Sequence, residues 1–226
     1  MTQPTVLYHT QQASKTRQEI LRTAADIASA EGLEGLSIGR LAMELKMSKT
    51  GVFAHFGSKE QLQLATVDSA RQIFMEQIVQ PAIVHPRGVE RLRSMLDHWI
   101  GYVENIVFRG GCFFAAASAE FDSRPGRVRD EIANLTKAWM LAIQDEIAFA
   151  QSLKQIAANV DPVQLAFELH ACVQEANWAF KLFNDKSAFR LARRAIARHI
   201  GSASPGSLSP KSKERKTSKE RKKQKQ

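Results

Sequence analysis

Cysteine is scarce in this chain of 226 residues, with only Cys112 and Cys172. Two are too few for a disulfide framework or a tetrahedral Cys-rich zinc site. The six histidines are scattered, with no His-x-x-x-His or Cys-x-x-Cys spacing, so no metal site and no cofactor is expected. No apolar run approaches the roughly 18 residues of a membrane span. The N-terminus lacks the basic region and apolar stretch of a signal peptide. A cytoplasmic setting with no membrane partner is therefore the default expectation. Also missing are period-2 strands, internal repeats, a nucleophile–base pair and a Gly-rich phosphate loop. Glu120 and Asp122 form a carboxylate pair, but they abut a loop and have no evident partner. Catalysis has no support, and the expectation is that the protein is not an enzyme.

The charge that is present is unevenly placed. From Ser202 to Gln226 there are nine Lys/Arg and two Glu. From Glu60 to Gly201 the signs balance at sixteen each. From Lys15 to Lys59 there are seven basic and five acidic residues. The high isoelectric point thus belongs mostly to the tail, whose composition predicts a disordered basic segment over 202–226. Residues 1–14 are polar and aperiodic, and predict a flexible arm.

Between these ends the chain reads as all-α. Thr16-Arg-Gln-Glu19 fits a capping box, and Ile20, Ala24, Ile27 and Ala28 follow at helical spacing until Gly32. Ile38, Leu41, Ala42 and Leu45 recur at i, i+3, i+4 and i+7, with Ser37 as N-cap. After a break of about three residues, Ser48 caps a second short helix, Lys49 to His55, in which Val52 and Phe56 face the core. Helix, tight turn, short helix with a polar first turn is the pattern of a DNA-reading helix-turn-helix. Ser58-Lys-Glu-Gln61 is another capping box, opening a long helix through about Val79. Pro81 and Pro86 then bound a connector.

Further helices are marked by Leu92 to Val103, by the residues after Arg109-Gly-Gly-Cys-Phe-Phe to about Phe121, and by Val128 to about Leu153. Asp161-Pro162 starts another helix that Asn184-Asp185 breaks. A last helix, Ser187 to Ile200, ends at Gly201. The domain division is 15–61 for the helix-turn-helix head, including the start of the connecting helix, and 62–201 for a helical bundle.

The stretch Thr16 to Leu62, and above all SKTGVFAHFGSKEQL, resembles the TetR/AcrR family of bacterial transcriptional repressors. The resemblance covers roughly 50 residues strongly and the remainder only in length and helical pattern. It implies an Ω-shaped homodimer that binds a palindromic double-stranded DNA operator and is released by a small-molecule effector. By the family's pattern, Lys49, Thr50 and Gly51 fall at base-edge positions. Phe53 and His55 fall where the DNA backbone is met, Lys59 falls at a phosphate contact, and Ser37 is a further backbone candidate. Phe53 stands where Tyr is more usual, which removes a hydroxyl contact to phosphate. Gly51 and Ala54 are small where larger side chains are common, so fewer direct base contacts and more dependence on DNA shape are expected.

In the second domain, Trp99, Tyr102, Phe113, Phe114, Phe121, Trp139, Met140 and Trp178 are the aromatic and thioether stock for an effector pocket, and favour an apolar or aromatic ligand. Cys112, beside Arg109 and a helix start, is a candidate redox sensor. The last two helices, with Ala166, Ala171, Ala176, Ala192 and Ala195, are the expected dimer surface. Two other functions compete with the regulator reading. One is a helical carrier or enzyme with an incidental hairpin; the other is a non-specific DNA binder driven by the tail.

Overall fold

The computed structural model describes residues 4–205, with side chains from Thr16 onward. Most of the basic tail therefore lies outside the described residues. Within them every regular element is helical. Helix α1 (Pro4–Glu31) begins twelve residues before the expected capping box, so Thr16 and Glu19 are interior and cap nothing. The run before Thr16 lacks a periodic apolar stripe, but its Leu, Gln, Ala and Lys are good helix formers. Gly32 ends α1 as expected, at φ 89°, with its N–H donating to the Ala28 carbonyl at 3.0 Å.

The head follows from local chemistry. The Ser37 hydroxyl accepts from the Arg40 N–H at 3.1 Å and opens α2 (Ile38–Leu45). Lys46 turns left-handed, and the Ser48 hydroxyl accepts from the Gly51 N–H at 3.0 Å to open α3 (Lys49–Phe56). Such N-caps satisfy backbone donors that have no partner within the helix. Leu33, Leu36, Leu41, Val52 and Leu62 are fully buried where α1, α2, α3 and α4 meet. The Arg17 guanidinium lies 5.4 Å from the centre of the Phe56 ring and ties α1 to α3.

Ser58 caps α4 (Lys59–Phe74) by accepting from the Gln61 N–H at 3.2 Å. This helix does not stop for a connector. It widens into a π-turn at Met75–Val79 and runs on as α5 (Gln80–Ile83). Pro81 has no N–H, and its ring excludes the carbonyl four residues before it. The widened turn, with the Gln80 N–H reaching back to the Met75 carbonyl, lets the helix pass the proline instead of ending there.

The C-terminal bundle comprises α6 (Val89–Glu104), α7 (Phe113–Phe121), α8 (Arg127–Ser152), α9 (Pro162–Phe183) and α10 (Ser187–Ser202). Asp161 caps α9 and accepts from the Val163 N–H at 2.9 Å. Gly201 does not end α10, which continues to Ser202. Ala203 is buried, and its carbonyl accepts from the Ala157 N–H at 2.8 Å, so the fold extends just past the expected boundary at 201. Ala166, Ala176 and Ala192 are buried within the subunit, where they let α9 and α10 pack closely. Head and bundle share one continuous apolar core.

Candidate DNA-reading face and bundle cavity

On α3 the capping and the core contacts fix which side faces out. Val52 and Phe56 anchor the helix, leaving Lys49, Thr50, Phe53 and Ala54 exposed, with Gly51 and His55 half-buried beside them. Phe53 keeps 52% of its surface exposed, a large apolar group on an otherwise polar face. Among the described residues no carboxylate pairs with Lys49, whose side chain lies across Gly39 of α2. The helix itself contains no acidic residue. Gly51 is tight: a Cβ there would sit 3.1 Å from the capping Ser48 oxygen. The expected residues Lys49, Thr50, Gly51, Phe53 and His55 thus share one helix, with Ser37 exposed at the start of α2.

Lys59, expected at a phosphate contact, carries an ion pair within the head. Its Nζ donates to Glu34 at 2.7 Å. Glu34 also accepts from Gln63, and these two bonds hold its carboxyl below the usual carboxylate range. To meet a phosphate, Lys59 must exchange that partner.

A second feature, which sequence reasoning missed, is how the bundle grips α1. The Glu120 carboxylate, at the end of α7, accepts the backbone N–H of Leu33 at 2.7 Å and of Glu34 at 3.1 Å. It therefore has partners, contrary to the expectation for the Glu120–Asp122 pair. At the other end of α7, the Arg109 N–H donates to Asp26 at 2.9 Å and the Gly110 N–H to the Ser29 hydroxyl at 3.0 Å. The Cys112 N–H donates to Asn177 of α9 at 2.9 Å. Helix α7 is thereby fastened to the N-terminal head at both ends and to α9 at one.

Between α4, α6, α7, α8 and α9 lies a cavity of about 330 Å³. Phe74, Trp99, Phe114 and Trp139 form its aromatic walls, with Phe74 and Trp139 edge-on at 4.9 Å and Trp99 and Trp139 at 5.6 Å. Three of the expected pocket residues, Trp99, Phe114 and Trp139, line it. Tyr102 and Phe113 are buried behind the wall, against Phe108. Phe121 is buried outside the lining, and Met140 is half-buried away from it. Trp178 is misassigned: it lies on the outer face of α9, half exposed and edge-on to Phe183 at 5.2 Å.

Arg71, Phe74, His170 and Gln174 also line the cavity and were not anticipated. His170 and Gln174 stand one turn apart on the inward stripe of α9. That polar pair among Leu169, Ala166 and Val173 was the signal available in the sequence.

The cavity also settles the environment of Cys112. Burial pushes its thiol up, and Arg109 turns away to Asp26 and Glu31. A buried, protonated thiol is a poor nucleophile, so the grounds for redox sensing at Cys112 fall away. Burial likewise pushes the His170 imidazole down, so the folded state disfavours its protonation. An unfolded chain keeps the ordinary value near 6.5 and takes up a proton below it. Stability from this group is thus present above about pH 6.5 and lost as the pH falls through the lower folded value. We expect the thermal midpoint to fall more between pH 7.5 and 5.5 for the natural protein than for His170→Gln. Equal falls in a calorimetric comparison would contradict this.

Comparison with known proteins matches this architecture in both segments. Residues 20–66 match the model for bacterial regulatory proteins of the tetR family, and residues 88–196 match the tetracyclin repressor-like C-terminal domain. No curated protein matches. Among solved structures, a TetR transcriptional regulator from Chloroflexus aurantiacus J-10-FL is 24% identical, with a TM-score of 0.78 over 84% of this chain and 96% of that one. A TetR-family regulator from Streptomyces coelicolor is 20% identical, with a TM-score of 0.72 over 90% and 97%. AibR, solved with isovaleryl coenzyme A and operator DNA, is 27% identical, with a TM-score of 0.65 over 80% and 97%. With both halves matched in sequence, and the whole arranged as in these regulators, the chain belongs to the TetR family of transcriptional regulators.

Proposed function

We propose that this protein is a homodimeric repressor that binds a palindromic operator through α3 and is released when a small molecule fills the bundle cavity. The observation that carries the reading is the linkage of cavity to head. Helix α7 supplies a cavity wall through Phe114, Ala115 and Ser118 and holds α1 through Glu120 and the Arg109–Gly110 turn. Helix α4 begins beside α3 and carries Phe74 into the same cavity. A ligand that displaces either helix reaches the head directly, and two heads must sit roughly 34 Å apart to read half-sites one DNA turn apart. AibR, with its acyl thioester ligand and operator DNA, is a relative in which both kinds of partner are present together.

Lys49 and Thr50 read base edges in this proposal, and Phe53, His55, Lys59 and Ser37 meet the DNA backbone. The partner surface is α9 and α10. Val163, Phe167, Ala171, Trp178 and Leu182 form an exposed stripe along α9, and Leu191 is 54% exposed on α10. So much contiguous apolar surface on one face is unusual for a monomer. Light scattering at micromolar concentration tests the assembly. The natural protein is expected at twice the chain mass, and Phe167→Asp/Leu191→Asp at the chain mass with its helical signal intact. A monomeric natural protein overturns the dimer, and an unchanged dimer in the variant overturns this surface. Selection of DNA fragments tests the operator and is taken up below.

A further inference from the structure

The bundle cavity is more selective than its apolar walls suggest. Among the described charged residues, Arg71 alone lines it, and that guanidinium is paired with Asp68 at 2.8 Å. Among the described residues no carboxylate lines it to neutralise a cationic guest. Aromatic walls by themselves attract cations through their ring faces. Here, however, Phe74, Trp99, Phe114 and Trp139 meet edge to face, so part of their ring-face area is already covered by a neighbouring ring's edge.

The polar atoms point the same way. The indole N–H groups of Trp99 and Trp139 and the amide oxygen of Gln174 are buried without hydrogen-bond partners. The Trp99 N–H faces the Cys112 thiol, a weak acceptor that leaves its hydrogen-bonding demand largely unmet. All three residues line the cavity. Buried polar groups are nearly always paired, so three unpaired ones around one cavity ask for a complement from the occupant. An indole N–H only donates, and an amide oxygen only accepts. A single oxygen that both accepts and donates meets both demands. A water held by these groups satisfies them but leaves the apolar walls uncovered, whereas a hydroxyl carried on a ring does both.

We infer that the cavity takes an uncharged ring compound bearing a hydroxyl, with the ring against the walls formed by Phe74, Trp99, Phe114 and Trp139 and the oxygen shared by the tryptophan N–H groups and Gln174. This rests on the reading of the cavity as the effector site, and it narrows that ligand to a phenol-like class. About 330 Å³ lies at the small end of ligand sites, which suits a molecule of about two fused rings.

Isothermal titration of the full chain with three ring-matched probes tests it: 2-naphthol, 2-methylnaphthalene and 2-(aminomethyl)naphthalene, the last a cation at pH 7.5. The hydrocarbon is the most apolar, so a merely greasy cavity prefers it. Expected instead is 2-naphthol at least about tenfold tighter than the hydrocarbon, with the cation not measurably bound. In Trp139→Phe/Gln174→Leu that preference should shrink below about threefold while 2-methylnaphthalene binds as before, which also certifies the variant's fold. Equal or tighter binding of the hydrocarbon or the cation overturns the inference, as does no binding of any probe. Operator affinity with and without 2-naphthol is read separately. The expected binding preference without operator release leaves the ligand class standing and overturns the effector role.

Discussion

Gly110→Ala is expected to lower the thermal midpoint by roughly 5–12 °C. A Cβ at residue 110 would lie 1.9 Å from the Ser29 carbonyl oxygen and 2.1 Å from its carbon. These are backbone atoms in the last turn of α1, so no side chain can swing aside. The turn before α7 would have to lift off α1. The Gly110 N–H would then leave the Ser29 hydroxyl, and the Arg109 N–H would leave Asp26. Two lost hydrogen bonds and a disturbed contact amount to about 2–4 kcal/mol. Gly201→Ala is the matched control. Its Cβ meets nothing within 4 Å, and the residue lies within α10, where alanine is the better helix former. That variant should be neutral or slightly stabilised. Calorimetry that ranked the two glycines together would mean that α7 does not rest against α1 as described.

The second large effect is on DNA binding, with the fold left alone. Lys49 and Thr50 are exposed in the first turn of α3 and take no part in the head's core. Lys49→Ala/Thr50→Ala should leave stability within about 0.5 kcal/mol of the natural protein. Operator affinity should fall by roughly a hundredfold, since a good base contact is worth about 1–3 kcal/mol of discrimination. Binding to unrelated DNA should fall much less, because phosphate contacts supply it. Fluorescence anisotropy with operator and scrambled duplexes separates the two. Equal losses on both duplexes would assign Lys49 and Thr50 to the backbone rather than to base edges.

The head was largely legible in the sequence because its signals are local. Serines 37, 48 and 58 cap helices as their spacing suggests, and Val52 and Phe56 anchor α3 where the apolar pair places them. The start of α1 was not legible, because a polar helix without an apolar stripe carries no periodic signal. Pro81 misled in the other direction, since a π-turn let the helix run past a residue that usually stops one.

Distance in sequence is what hid the rest. Glu120 meets the α1–α2 turn across 87 residues, and nothing near it in the chain announces that partner. The cavity was legible as composition but not as geometry. Trp99, Phe114 and Trp139 converge on it, while Trp178, just as aromatic, falls on the outer side of α9. A tryptophan at helical spacing reveals that a face is apolar, but not whether that face meets its own subunit or another.

The most direct test of the account is selection of DNA from sheared genomic fragments by the purified full-length protein at about 150 mM salt, where non-specific binding is suppressed. Recovery of one palindromic sequence with half-sites about one helical turn apart is the predicted result. The same site should be recovered after deletion of residues 206–226 and lost with Lys49→Ala/Thr50→Ala. Recovery of no preferred sequence, or of a preference that vanishes with the tail and survives the α3 substitutions, would contradict it.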